Sequence, residues 1–171
     1  MEQARCLLCG NNEAQRQSAV ETPTICECPA CKYYTVDSLF VKIASDHKVP
    51  DAYVLSGYSR QLSDAGQGMP QFTYHEHIFE AGKRLERGEP AHSKLMEHVP
   101  QTRDDTTMRI LQEVERRSAD VEYGQMIDFV PQVEFTLCYA KNFLEFRDIL
   151  KRTEARGGLS DSRPTILTLS C

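Results

Sequence analysis

No stretch of this chain is apolar for long enough to cross a bilayer. The longest apolar runs, SLFVKIA and MIDFV, fall far short of the roughly 20 residues a membrane helix needs. The opening MEQARCLLCG has no basic segment followed by an apolar one, so no secretory signal is expected. A soluble, cytoplasmic protein is the expectation. Positive charge is also in deficit: 20 Lys and Arg stand against 25 Asp and Glu, for a net charge of −5. That opposes general affinity for nucleic acid, which needs clustered cations, but leaves room for a local basic face. No G-x-S-x-G elbow, phosphate-binding P-loop, G-x-G-x-x-G turn or H-E-x-x-H helix is present. No internal repeat or low-complexity tract is present either. What remains is 171 residues, 40% apolar and 26% charged, a globular composition sized for one domain or for a small module plus a second.

Cysteine is the residue in excess. Five of the seven lie in RCLLCGNNEAQRQSAVETPTICECPACKYYTV, residues 5–36. Four of them form two C-x2-C pairs, Cys6/Cys9 and Cys28/Cys31. An odd count with paired spacing points to metal binding in a reducing compartment and away from a disulfide framework. Two intervening residues let a tight turn aim both sulfurs at one ion, and two such turns supply the tetrahedron a structural zinc takes. Gly10 after Cys9 suits the first turn, Lys32 holds the matching place in the second, and Pro29 stiffens CPAC. AQRQSAV and PTICE read as two short strands and KYYTV as a third, which together make a zinc ribbon. The ligands expected are Cys6, Cys9, Cys28 and Cys31. Cys26 competes with Cys28 only through a wider C-x4-C spacing, and its simpler reading is a buried strand residue acting as a small hydrophobe. Cys138 is expected in the core, and Cys171 as a free thiol. With four thiolates no coordination position is left for water or substrate, so Zn2+ here is expected to be structural.

After the ribbon the signals are helical. Ser38 is expected to cap a helix through about residue 46, and Asp51 to cap AYVLSGYSRQLSDA, with Leu55, Tyr58 and Leu62 inward. GQGMP reads as a loop. Thr73 with Glu76 reads as a capping box opening YHEHIFEAGKRLE, and a short helical turn is expected before Pro100. RDDTTMRILQEVERRSA carries Met108, Leu111 and Val114 on one expected inner face. QMIDFVP reads as extended. Asn142 with Glu145 makes a second capping box for FLEFRDILKRTEAR, with Phe143, Phe146, Ile149 and Leu150 inward and Gly157-Gly158 as the stop. LSDSRPTILTLS resembles a β-hairpin, turning at Ser160 to Pro164. The fold class expected is therefore α+β: a four-cysteine zinc ribbon over 1–37, a helical segment over 38–101, and a winged-helix-like segment over 102–171.

A winged helix can place its last helix in a major groove and its hairpin on the backbone. That helix and wing carry Arg147, Lys151, Arg152, Arg156 and Arg163, and the pairs Arg147/Lys151 and Arg152/Arg156 each share a helix side. These five residues are the candidate nucleic-acid contacts. Their simpler reading is a solvated charged face, and winged helices also dock proteins. For catalysis, Asp46-His47 in SDHKVP invites comparison with an HNH nuclease, in which His activates water beside a metal-held phosphate. Both C-x2-C pairs precede His47, however, and the residues also suit a helix end. In YHEHIFE, with Glu76 and Glu80, His75 and His77 are two residues apart and on a helix would face different sides. His92 and His98 stand alone beside loop residues.

CLLCG, CPACKYYTV, AYVLSGYSRQ and YAKNFLEFRDILKRTEARGGL together resemble the opening regions of uncharacterised bacterial proteins, many of them defence-associated. In those proteins a zinc ribbon precedes a helical and winged-helix-like segment. The resemblance implies an effector module beyond it, such as a Toll/interleukin-receptor-like or nucleotide-processing domain, and an anti-phage setting. It carries over only Cys6, Cys9, Cys28 and Cys31, as zinc ligands. This chain departs from the pattern by ending near TLSC, as a stand-alone adaptor, the partner of a separate effector, or a piece of a longer chain. The function expected is a non-enzymatic binding or adaptor module that docks a partner protein. The alternatives are nucleic-acid binding through the 143–156 helix, and a nuclease using Asp46 and His47.

Overall fold

The computed structural model describes residues 1–19, 22–46, 49, 51–73, 92–119, 127–155 and 167–169. The chain divides into two compact units, Met1–Val99 and Pro100–Cys171, and the fold is mixed α and β.

The first unit is built on a five-stranded sheet in the order β1-β2-β3-β4-β5. The strands are β1 (Glu2–Ala4), β2 (Ala14–Ala19), β3 (Thr22–Cys28), β4 (Lys32–Val36) and β5 (Gln71–Phe72). The three expected strands are present as an antiparallel meander, with Cys26 opposite Tyr34 and Cys28 opposite Lys32. The outer two were not foreseen. β1 pairs with β2 just before the first cysteine turn. β5 is only two residues long and joins β4 in parallel, Thr35 opposite Gln71 and Val36 opposite Phe72. So short a strand has no periodicity to read, and it forms because the chain returns to an open edge. Alternation decides the faces: Thr24, Cys26, Cys28, Tyr34 and Val36 are buried, while Tyr33 between them is exposed.

Among the described residues this unit also holds helices α1 (Ser38–Asp46), α2 (Ala52–Asp64) and α3 (His92–His98). The cap of α1 is Asp37, one residue before the expected Ser38: its side-chain Oδ1 accepts from Phe40 N–H at 2.6 Å, as an N-cap aspartate does. Asp51 sits at the start of α2 but does not cap it with its side chain. Its backbone is left-handed (φ 50°) and its carbonyl takes the Val54 N–H at 2.8 Å. α2 ends in a Schellman turn, in which Gly66 (φ 65°) lets Gln67 N–H reach Leu62 O at 2.9 Å. Leu55 is buried as expected, whereas Tyr58 and Leu62 are half-buried and Val54 takes their place in the core. The core centres on Tyr34, Phe40 and Phe72, with Phe72 6.0 Å from Tyr34 and 6.5 Å from Phe40 between ring centroids. His92 and His98 bound α3, not a loop, and the His98 ring lies 5.2 Å from Tyr58. Thr73–Glu76 and YHEHIFE run into residues 74–91, outside the described residues.

The second unit contains α4 (Arg103–Ser118), β6 (Ile127–Phe129), α5 (Pro131–Glu134), a 3-10 turn at Phe135–Cys138, α6 (Phe143–Ala155) and β7 (Leu167–Leu169). α4 opens with a capping box that had gone unread: Thr102 Oγ1 accepts from Asp105 N–H, and the Asp105 carboxylate accepts from Thr102 N–H. Its inner face is not the expected Met108–Leu111–Val114 line. Met108 is 53% exposed, and Ile110, Glu113 and Val114 are buried. The inner stripe continues one turn to Arg117, which donates to Glu113 at 2.7 Å, to Glu134, and to the Asp128 carbonyl at 3.0 Å. Its guanidinium lies 4.6 Å from the Phe129 ring centroid. Glu134 in turn accepts from Val130 N–H at 2.6 Å. A polar cluster thus takes the place where an apolar pattern was sought. Burial opposes ionisation of Glu113, but Arg116 and Arg117 outweigh it and hold its carboxyl below the ordinary value.

In α6 the box is offset by one residue. Asn142 Oδ1 accepts from Leu144 and Glu145 N–H, but the Glu145 carboxylate reaches back to Lys141 N–H at 2.7 Å. Phe146 and Leu150 are buried as expected, with Phe146 6.0 Å from Phe129, whereas Phe143 points outward at 43% exposure. Cys138 is buried, as expected of a core residue, and burial pushes its thiol up to about 12. The strand ending at Leu169 is present, and its described partner is β6, in parallel. The turn at Ser160 to Pro164 lies outside the described residues.

Removing Arg117 leaves two largely buried carboxylates without their shared cation. Arg117→Ala is expected to destabilise the second unit by about 3 kcal/mol, the low end for a broken buried pair, because Arg117 is itself 21% exposed. Thermal melts of wild type and variant at neutral pH measure this. The Glu113 contribution is present above the unfolded carboxyl value of about 4.3. It is lost as pH falls through the lower folded value, so the gap between the two proteins should close only in acid.

Candidate metal centre

The two C-x2-C turns converge at one end of the meander. The first lies between β1 and β2, the second between β3 and β4. In the first, Cys6 C=O accepts from Gly10 N–H at 3.0 Å and Cys6 N–H donates to Asn11 O at 2.8 Å. Gly10 has φ 76°, and a Cβ there would meet the Arg5 guanidinium at 3.1 Å. In the second turn Lys32 stands at the equivalent place with φ 64°. The two turns therefore share a backbone shape even though only one carries the glycine that shape favours.

This brings together Cys6, Cys9, Cys28 and Cys31, whose sulfurs all lie within 4.8 Å of one another. Across the turns, Cys6 Sγ is 3.8 Å from Cys31 Sγ and Cys9 Sγ is 3.6 Å from Cys28 Sγ. A metal ion with sulfur at about 2.3 Å in a tetrahedron separates its ligands by about 3.8 Å, so these residues could hold one metal ion. Cys6, Cys28 and Cys31 are buried, and Cys9 is half-buried. Among the described residues no second group of metal-ligating side chains converges in this way. Cys26 stays outside the cluster, two residues before Cys28 on the same buried face. Burial pushes its thiol up to about 11, so it remains neutral, as a small hydrophobe does.

The four thiols strongly perturb one another. The Cys28 thiol, then those of Cys31 and Cys9, hold Cys6 well below its ordinary value, and Cys28 is lowered chiefly by Cys31. Cys31 is pushed far up, first by burial, and Cys9 is also raised, chiefly by Cys28. Four thiolates this close repel one another, so only a bound positive ion lets all four lose their protons.

Two neighbours steady the cluster. Tyr34 is fully buried and its hydroxyl lies 3.2 Å from Cys6 Sγ. Burial, with the adjoining Cys6 sulfur, drives that hydroxyl well above its ordinary value, so it keeps its proton and is placed to donate to a Cys6 thiolate. The second neighbour is Ser59 of α2, fully buried, which donates to Cys31 O at 2.7 Å and also lies 3.2 Å from Tyr33 O. Backbone groups two residues apart in a strand face the same way. β5 covers the β4 edge only from Thr35 onward, and Ser59 serves the stretch β5 does not reach. Neither residue was singled out beforehand as a neighbour of the cluster. The distances from Cys6 to Tyr34 and from Cys31 to Ser59, each 28 residues, carry no motif.

The other candidates are not gathered into a site. Arg147, Lys151 and Arg152 are exposed along α6, while Arg156 and Arg163 lie outside the described residues. Asp46 is the last residue of α1, and His47, His75, His77, Glu76 and Glu80 lie outside the described residues, as does Cys171. No helix among the described residues is long and apolar enough to cross a membrane. Comparison with protein-family models, with curated proteins and with solved structures finds no match to this chain.

Tyr34→Phe is expected to weaken metal binding roughly tenfold through loss of the thiolate's donor, read by competition with a chromophoric chelator. Ser59→Ala removes the donor to the buried Cys31 carbonyl and should cost about 1–3 kcal/mol of stability. Because metal binding must displace the protons of Cys9 and Cys31, affinity should fall steadily as pH is lowered from neutral. An affinity indifferent to pH would contradict the four-thiolate site.

Proposed function

We propose that this protein is a non-enzymatic binding module whose metal is a structural Zn2+, and that it acts by docking a partner protein. The observation that carries the reading is the closed donor set. All four tetrahedral positions are filled by sulfur, which suits zinc and leaves no place for an activated water. The metal's contribution is then to the folding of a sheet whose two edge strands are only three and two residues long. The regulatory or anti-phage setting is carried by the resemblance of its cysteine and helix motifs alone.

Nucleic-acid binding through a winged helix is the weaker reading. β7 is described pairing in parallel with β6, whereas a wing is an antiparallel hairpin. The nuclease reading is weaker still, because Asp46 closes a helix where the HNH comparison wants extended residues.

Elemental analysis of the purified chain is expected to give one zinc per chain. Iron, or no metal, overturns the zinc assignment. Co-purification of the full chain under native conditions is expected to yield a stoichiometric protein partner. Duplex DNA should bind weakly and non-specifically between about 0.05 and 0.2 M salt. Plasmid with Mg2+ or Mn2+ should stay intact, and nicking that disappears with His47→Ala would replace the adaptor reading with the nuclease one.

A further inference from the structure

α6 is dressed on its solvent side in a way its own packing does not require. It buries a narrow stripe of Phe146, Leu150 and Thr153 with Ile149 half-buried beside it, while the arc of Phe143, Leu144, Glu145, Arg147, Asp148, Lys151 and Arg152 is exposed. At the first turn of that arc stand two adjacent large apolar side chains, Phe143 at 43% and Leu144 at 48% exposure. Farther along come Arg147, Lys151 and Arg152, all exposed. Steps of four residues put Phe143, Arg147 and Lys151 on one line and Leu144, Asp148 and Arg152 on the next. The face therefore runs from apolar to basic along the helix axis, on a chain whose net charge is −5.

We infer that this face docks a protein segment presenting apolar side chains followed by carboxylates, an inference that rests on the adaptor reading above. Charge complementarity calls for an acidic partner, and three features choose carboxylates on a peptide over the phosphates of nucleic acid. First, the start of a helix is where a phosphate would bind, but here Asn142 Oδ1 holds the Leu144 and Glu145 N–H groups and the Glu145 carboxylate holds that of Lys141. Second, a recognition helix reads bases with its leading residues, and these are Phe143, Leu144 and Glu145. Leu144 offers a phosphate nothing, whereas an apolar partner side chain gains by covering it. Third, Glu145 and Asp148 stand on the same exposed arc and would repel a continuous polyanion, while a peptide can space its carboxylates to avoid them. An anionic bilayer fits poorly, since two apolar side chains make too small a face to insert.

The test uses the full, metal-loaded chain and fluorescent synthetic peptides. One peptide places Leu and Phe one helical turn apart, followed by three Glu; a second has Lys in place of Glu. Duplex DNA and phosphatidylserine vesicles are the remaining probes. Saturable binding of the acidic peptide is expected, and Leu144→Asp should weaken it about thirtyfold, as loss of a central anchor does. Lys151→Glu with Arg152→Glu should shift preference to the Lys peptide. All three positions are exposed, so zinc content and melting temperature should not change. The inference is overturned by no saturation up to ~1 mM peptide, by undiminished binding to the Leu144→Asp chain, or by preference for duplex or vesicles. A native partner that co-purifies equally with the Leu144→Asp chain overturns this face and leaves the adaptor reading standing. The absence of any stoichiometric partner defeats the adaptor reading and this inference with it.

Discussion

Four sulfurs confined within 4.8 Å are the constraint on which the first unit turns. Such a cluster cannot ionise fully by itself, and a cation placed at its centre converts mutual repulsion into four bonds. The gain is organisational. The first turn joins β1 to β2, the second joins β3 to β4, and an ion held by the four sulfurs would tie the two turns across the end of the sheet. Its influence extends beyond the ligands, because Ser59 binds the carbonyl of Cys31 and thereby fixes α2 to the same point. Tyr34 links the cluster to the core from the other direction: its hydroxyl meets Cys6 and its ring meets Phe72, the residue that brings β5 into the sheet. Cysteine cluster, sheet, helix and aromatic core are thus one connected arrangement.

In the second unit a single cation gathers the charged groups. Arg117 gathers Glu113, Glu134 and the Asp128 carbonyl, and rests on Phe129. One guanidinium, with five donors in a rigid fork, fastens α4 to α5 and to β6. Lysine could not bridge so many groups in one plane. In both units a polar centre of high local charge sits against aromatic rings, and in both its partners come from separate elements.

Much of the candidate site was legible in the primary structure because the chemistry is local. C-x2-C is a turn-sized unit, so the pairs Cys6/Cys9 and Cys28/Cys31 announce their sulfur geometry without knowledge of the fold, and strand alternation was enough to bury Cys26. The two long helices of the second unit, α4 and α6, were readable in position but not in orientation, and the short α5 was not read at all. Met108 and Phe143 look inward by apolar spacing, yet both point outward, because Ile110, Glu113, Val114 and Arg117 use the facing side of α4 and a narrow Phe146–Leu150 stripe suffices for α6. A hydrophobicity pattern has no means of recognising an inner face that contains an ion pair. Asp37 and the Thr102–Asp105 box show the same limit at helix starts, where several polar residues compete and backbone geometry chooses among them.

The amino-acid sequence by itself determined the two cysteine turns that could hold a metal ion, the three-stranded meander between them and the existence of the main helices, since each depends on residues within a few positions of one another. Only the tertiary structure decided that β5 completes the sheet, that Tyr34 and Ser59 brace the cluster, that Arg117 replaces an apolar seam, and that Phe143 and Leu144 are left facing solvent. Those outcomes depend on which distant surfaces meet, and contact between residues far apart in the chain is set by packing, for which no local spacing stands as a sign.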